Sequence, residues 1–234
     1  MTAKVVAFRR IWIGLIIILV LGGCSGENAG SGDKAAAHGS GGPAFSVLVG
    51  DRDLSGNAAR QVSEAYLDGN TLLELFSNSK VVTFYSGREG IVDVNRVYLS
   101  APLGWELQVN GKVITDMTAP VKREDTVVFA ARPAPGKQMP QFVVLTLNGG
   151  SEQPELSHSV VLPYEEDMTV RSLLKNNGMV ELAEDNKTLV KVMGYTPLSS
   201  EVWKLEVNDK GLRDNGIDMM LKPQDELEIV LALR

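Results

Sequence analysis

The residue with the most particular chemistry in this 234-residue chain is its only cysteine, Cys24. A lone thiol excludes an intramolecular disulfide and a thiolate metal site, and two histidines, His38 and His158, leave too little for a histidine metal centre or a catalytic dyad. Cys24 also closes a patterned run. Lys4, Arg9 and Arg10 form a basic leader, Ile11 to Leu21 is an uncharged apolar stretch of eleven residues, and Gly22 and Gly23 precede the thiol. Charge, apolar core and small residues in that order make an export signal. A spanning helix needs about 20 apolar residues to cross about 30 Å of hydrocarbon, so this run is short for a permanent anchor and residues 1–23 are expected to be removed.

Leu21-Gly22-Gly23-Cys24 resembles the bacterial lipobox, in which the cysteine is thioether-linked to diacylglycerol and becomes the first residue of the mature chain. The resemblance implies a lipoprotein held at the cell membrane on its extracytoplasmic face, with the bilayer as its partner through acylated Cys24. Each buried CH₂ of an acyl chain contributes about 0.8 kcal/mol, and two chains anchor stably where one does not. Loss of the three leader cations leaves 20 basic residues against 29 acidic ones, so the formal charge moves from -6 to -9. Such a surface attracts neither nucleic acid nor anionic lipid. Residues 24–44 then read as the lipidated cysteine and a Gly/Ser/Ala-rich tether with a reach of about 25 Å, and His38 within it as a solvated side chain.

The remaining reactive side chains argue against catalysis. Glu165-Glu166-Asp167 is the densest acidic run, and its place ahead of a helix start at Thr169 suits it to oppose the helix dipole. Gly149-Gly150 lies between strand-like runs and reads as turn chemistry, not a phosphate loop. No nucleophile with its base, no carboxylate pair and no ligand set stands out, so neither a catalytic residue, a metal nor a cofactor is expected, and the chain is not read as an enzyme.

The elements that carry these residues are written twice. Trp105-Glu106-Leu107-Gln108-Val109-Asn110-Gly111-Lys112 recurs as Trp203-Lys204-Leu205-Glu206-Val207-Asn208-Asp209-Lys210. Thr71 and Thr169 each lie 34 positions before the tryptophan of their copy, and Asp125 and Asp225 each open a final apolar run. The copies are residues 45–132 and 141–234, joined by the proline-rich connector 133–140, a candidate hinge. In each, a first strand (FSVLV or QFVVLTL) and a second run (QVSEAYL or SHSVVLPY) suggest a hairpin. Each threonine is a plausible N-cap for one helix, and three strands follow. The order ββαβββ predicts an α+β fold of two tandem β-grasp, or ubiquitin-like, domains. Strand alternation puts Trp105, Leu107 and Val109, and likewise Trp203, Leu205 and Val207, on one face, where they are expected to anchor the cores of the repeats.

Gly104-Trp105-Glu106-Leu107-Gln108-Val109-Asn110-Gly111, followed some fourteen residues later by an acidic turn and an apolar strand, resembles the bacterial domain family of unknown function related to the C-terminal domain of transcobalamin and intrinsic factor. The chain departs from that pattern in lacking glycine before Asp125 and Asp225, and in carrying Val202 before the second tryptophan and Asp209 at the turn. The resemblance implies the β-grasp-like fold and permits a corrinoid or other small ligand; His158 lies outside the matched motif. Two functions remain open: capture of a small, corrinoid-like ligand for uptake in a crevice between the repeats, or docking of an envelope protein or glycan. Apolar or small residues on both faces of the first strands and of the closing segments TVVFAAR and EIVLAL call for a cover over the second face, which the other repeat, a partner or a ligand could supply.

Overall fold

The computed structural model describes residues 41–86, 90–213 and 216–234. Cys24, Leu21, Gly22, Gly23 and His38 lie outside the described residues. Among those described, no helix is long and apolar enough to cross a membrane.

The fold is α+β and mostly strand. The first repeat contains β1 (Ala44–Val49), β2 (Arg52–Asp53), α1 (Ala58–Ala65), α2 (Leu72–Ser79), β3 (Val82–Phe84), β4 (Ile91–Val94), β5 (Val97–Leu99), β6 (Leu103–Val109), β7 (Lys112–Val113) and β8 (Thr126–Pro133). The second contains β9 (Phe142–Asn148), β10 (His158–Pro163), α3 (Val170–Asn176), β11 (Val180–Leu182), β12 (Leu189–Val192), β13 (Glu201–Val207), β14 (Lys210–Gly211) and β15 (Glu226–Leu233). Their central pairings match. β1 runs parallel to β8, which is antiparallel to β6, which turns into β7. β9, β15, β13 and β14 repeat that arrangement.

Both threonines cap their helices. The Thr71 hydroxyl accepts from the Glu74 amide at 3.3 Å, and the Glu74 carboxylate accepts from the Thr71 amide at 2.8 Å and from its hydroxyl at 2.9 Å, two bonds that hold the carboxyl below its ordinary pKa. Thr169 and Ser172 form the same box on α3.

One expected strand is a helix. Gln61–Leu67, placed after the first strand and a turn, is expected as the second strand of the first repeat, yet Ala58–Ala65 forms α1. Ala58 and Val62 are fully buried, and Ala65 and Tyr66 pack on the same core, a spacing of three and four residues that belongs to a helix. The hairpin partner of β1 is only the two residues of β2, whereas β10 pairs with β9 over six residues as expected.

That replacement leaves β10 free to pair elsewhere. It lies parallel to β5 of the first repeat, Ser159 opposite Val97 and Val161 opposite Leu99, so one sheet runs β14-β13-β15-β9-β10-β5-β4-β3 through both repeats. A second sheet, β2-β1-β8-β6-β7, belongs to the first repeat alone. β9 is consequently covered on both faces: Val143, Leu145 and Leu147 enter the core under α3, whereas Phe142 and Val144 join Val161 in the core of the first repeat with Phe45, Phe76 and Phe129. For β9, the cover that the apolar pattern demanded is the other repeat, whose core receives Phe142, Val144 and Val161 where the crevice between the repeats was expected.

Gly42 sits so close to α1 that a Cβ there would lie 2.8 Å from the Ser63 Cα and 2.9 Å from the Tyr66 Cβ, so a residue expected in the tether is packed against the helix. Across the repeats, the Arg52 guanidinium pairs with the Glu226 carboxylate and donates to the Gln224 carbonyl at 2.8 Å; Glu226 in turn accepts from the Thr146 hydroxyl at 2.6 Å. Arg52→Ala is expected to lower stability by about 1–2 kcal/mol, since a charged hydrogen bond to a carbonyl is lost along with a partly exposed ion pair. A double-mutant cycle with Glu226→Ala in urea denaturation should return a coupling of about 1 kcal/mol or less.

Candidate functional site

Each tryptophan strand ends in a turn that only certain residues allow. Asn110 and Gly111 have φ of 53° and 74°, and Asn208 and Asp209 have φ of 49° and 62°. Both central residues of these turns are left-handed, the arrangement of the tight hairpin favoured by the strand twist. Asp209, which departs from the Asn-Gly pattern, adopts the same backbone as Gly111.

Behind each turn is a clasp. The Asn110 side-chain amide donates to Asp125 Oδ1 at 2.8 Å, Asp125 Oδ2 accepts from the Lys122 amide at 2.7 Å, and Asn110 Oδ1 accepts from the Thr126 amide at 2.9 Å. Asn208, Asp225, Lys222 and Glu226 reproduce it at 2.8, 2.8 and 3.0 Å. The recurrence of Asn and Asp in the motif has this mechanism: one carboxylate and one amide tie the hairpin end to the start of the closing strand. Sequence reasoning noticed both residues but not their pairing, for which the matched spacing of Asn and Asp in the two copies was the available signal.

The core positions divide as follows. Leu107, Trp203 and Val207 are buried; Trp105 and Val109 pack half-buried on the first core and Leu205 on the second. Trp105 meets Phe129 edge-on at 6.4 Å and Trp203 meets Tyr195 edge-on at 6.2 Å. Both indole N–H groups are buried without a hydrogen-bond acceptor. The Tyr195 hydroxyl donates to the buried carboxylate of Glu201 at 2.7 Å, and that bond first, then burial, raises the phenol pKa.

Among the described residues, nothing beyond the short β7 and β14 covers the outer edges of β6 and β13. β7 pairs with β6 only at Gln108 and Val109, and Ile114 N–H adds a bond to the Leu107 carbonyl at 2.9 Å. β14 pairs with β13 only at Glu206 and Val207, with Leu212 N–H on the Leu205 carbonyl at 2.8 Å. In an antiparallel ladder alternate residues turn their backbone groups to opposite neighbours. Asn110 N–H bonds to Thr126 and Asn208 N–H to Glu226, so even-numbered residues face the closing strand and Trp105 and Trp203 present their peptide groups outward. A groove runs beside each edge. That at β6, about 450 Å³, is bounded by Val113 to Thr115, Arg132 and Pro133 to Pro135. That at β13, about 320 Å³, is bounded by Lys187 to Leu189, Gly211 to Arg213 and Ile217.

No family model and no curated protein matches the chain. A solved structure from Ruminococcus gnavus ATCC 29149, of a protein provisionally described as metal binding, is 14% identical; it covers 40% of this chain and 98% of its own, with a TM-score of 0.32. A likeness at that level carries no argument for this chain.

The other singled-out residues stay apart from these grooves. Glu165, Glu166 and Asp167 are exposed ahead of α3 and line a separate hollow of about 320 Å³ with Met168, Asn176 and Asn177. Gly149 closes the β9–β10 turn, where a Cβ would collide with the Gln153 carbonyl. His158 on β10 meets Tyr98 edge-on at 5.7 Å and bonds through Nδ1 to the Leu156 carbonyl at 2.8 Å. A hollow of about 550 Å³ lies between α1, α2 and the β4–β5 turn; of its lining groups, the Asn95 amide donates to the Leu54 and Ser55 carbonyls and Arg96 to the Pro154 and Ser157 carbonyls. Among the described residues no cluster of His, Cys, Asp and Glu is arranged to hold a metal ion.

Proposed function

We propose that this chain is a non-catalytic binding module of the bacterial cell envelope, anchored by acylated Cys24 on the extracytoplasmic face and formed of two β-grasp-like domains fused through a shared sheet. The observation that supports docking of an extended partner is the pair of open strand edges at Trp105 and Trp203, since an unpaired edge accepts a further strand through its own backbone groups. The relationship to the unknown-function family rests on the Gly104–Gly111 motif and the clasp behind it.

Capture of a small ligand is the second reading. The two indole N–H groups without an acceptor favour it, because a buried donor left unmade costs about 1–3 kcal/mol that a ligand oxygen would recover. A corrinoid-like ring is the ligand that the family resemblance permits. Packing between the repeats argues against the crevice as its site, which leaves the shallow edge grooves to receive it.

Two measurements test these statements. Cells fed a clickable palmitate analogue should label the wild-type chain and leave Cys24→Ser unlabelled, and equal labelling of the two removes the anchor. Calorimetry with cobalamin up to millimolar concentration should show no saturable heat. A saturable isotherm would transfer the conclusion to ligand capture.

A further inference from the structure

Between the capped helix and the tryptophan strand the two repeats match residue for residue, at one constant offset. β3 pairs with β4 as β11 pairs with β12, with the same shift of register: Val82 opposite Val94 and Phe84 opposite Ile91, Val180 opposite Val192 and Leu182 opposite Leu189. Asn95 N–H bonds to the Val81 carbonyl at 2.6 Å, and Met193 N–H to the Met179 carbonyl at 2.7 Å. Both turns that follow are left-handed, Asn95 and Arg96 at φ of 53° and 58°, Met193 and Gly194 at 50° and 82°. Leu103 N–H then bonds to the Ser100 carbonyl as Glu201 N–H bonds to that of Leu198. Residues 97–100 of the first repeat therefore correspond to residues 195–198 of the second. The two segments differ in what lies beside them. Arg96 C=O accepts from Ser159 N–H and Ser100 N–H donates to the Val161 carbonyl, both at 3.0 Å, so β10 occupies the outer edge of β5. In the second repeat the Gly194 carbonyl and both peptide groups of Thr196 have no backbone partner among the described residues, and Leu198 N–H turns back to the buried Glu201 carboxylate at 2.9 Å. Exposed apolar side chains flank this edge where the first repeat has polar ones: Met193 stands at the place of Asn95, and Leu198, 61% exposed, at that of Ser100.

Resting on the binding-module reading, we propose that the edge at residues 194–198 receives an extended, valine-rich segment of a partner protein, added in parallel as β10 is added to β5. This edge is separate from those at Trp105 and Trp203. Its occupant is defined by the strand already seated on the equivalent edge, Ser159-Val160-Val161. The backbone of the partner would bond to the Gly194 carbonyl and to the N–H and C=O of Thr196, and a partner carbonyl would take Leu198 N–H from Glu201. Its apolar side chains would cover Met193 and Leu198. Strand addition supplies affinity through the main chain, and the side chains beside the edge supply selectivity. Until the partner arrives, Glu201 satisfies a donor that an empty edge would leave unpaired.

The probe is a fluorescent peptide with the sequence of residues 157–163, titrated by anisotropy against the full chain in neutral detergent micelles. Saturable binding is expected. It should weaken at least tenfold in Leu198→Lys, which sets a charge on the edge, and in Thr196→Pro, which removes the outward N–H, and stay unchanged in Leu67→Lys, an exposed site of the first repeat. N-methylation of the peptide at the positions of Ser159 and Val161, whose N–H groups would face the edge, should weaken it about tenfold, and more than N-methylation at Val160. Absence of binding to the wild type, or indifference to N-methylation, overturns the proposal. Binding that survives both edge variants also overturns it and returns docking to the Trp105 and Trp203 edges, whereas saturable cobalamin binding displaces the docking reading itself. A dimer formed without peptide and lost in Leu198→Lys would overturn the partner class and make a second copy of the chain the occupant.

Discussion

Trp203→Ala should remove about 3–5 kcal/mol of folding stability, enough to abolish the melting transition of a domain whose total is on the order of 5–15 kcal/mol. The indole is 7% exposed, lies edge-on to Tyr195 and packs in a core with Leu145, Leu173, Leu174 and Ile229. Truncation would leave a cavity that α3 and β13, both fixed by their neighbours, cannot close. Trp203→Phe should lose far less, because it retains the ring contacts and removes an N–H that has no acceptor. The loss should spread. β9 closes both cores, so release of the second repeat uncovers Phe142, Val144 and Val161 in the first, and urea unfolding is expected as one transition. A folded Trp203→Ala protein with an unchanged midpoint and impaired binding would reassign the tryptophan as a ligand platform.

Asp125→Ala should cost about 2–4 kcal/mol, with Asp225→Ala costing less. Asp125 is 9% exposed and its two oxygens accept from the Asn110 amide and the Lys122 backbone; removal leaves both donors without a protein partner at a partly buried hairpin end. The equivalent bonds of Asp225 lie in a more exposed position, where water can replace them. Asp125→Asn keeps an acceptor for one donor and should recover part of the loss. Equal midpoints in chemical denaturation for wild type and Asp125→Ala would show that the clasp adds nothing to stability.

Much of this architecture was legible because it rests on short-range rules. Thr71 with Glu74 and Thr169 with Ser172 announce helix starts through hydrogen bonds that span three residues. Asn110-Gly111 announces its turn through the backbone angles it tolerates. Alternation in the Trp-Leu-Val strands correctly separated the side turned to the core from the side turned away. The strand expectation failed at Gln61–Leu67, where the same few apolar residues fit two periods, and the fully buried Ala58 upstream, with Val62, decides for the helix.

The sequence by itself determined the repeat, its helix caps and turns, and the core role of its tryptophans, since each depends on residues close in the chain or on a pattern written twice. It also carried the pattern of residues 4–24 from which an export signal and a lipidated Cys24 are expected, a pattern that needs no fold to be read. Tertiary structure alone decided that the repeats share a sheet. The β5–β10 pairing joins distant strands through backbone groups that every residue possesses, so no side chain announces it; the pattern of strands apolar on both faces included Phe142–Asn148 but did not single it out. The two open edges were hidden for the same reason. Whether a strand ends a sheet depends on which backbone lies beside it, and at Trp105 and Trp203 the chain turns away after two paired residues.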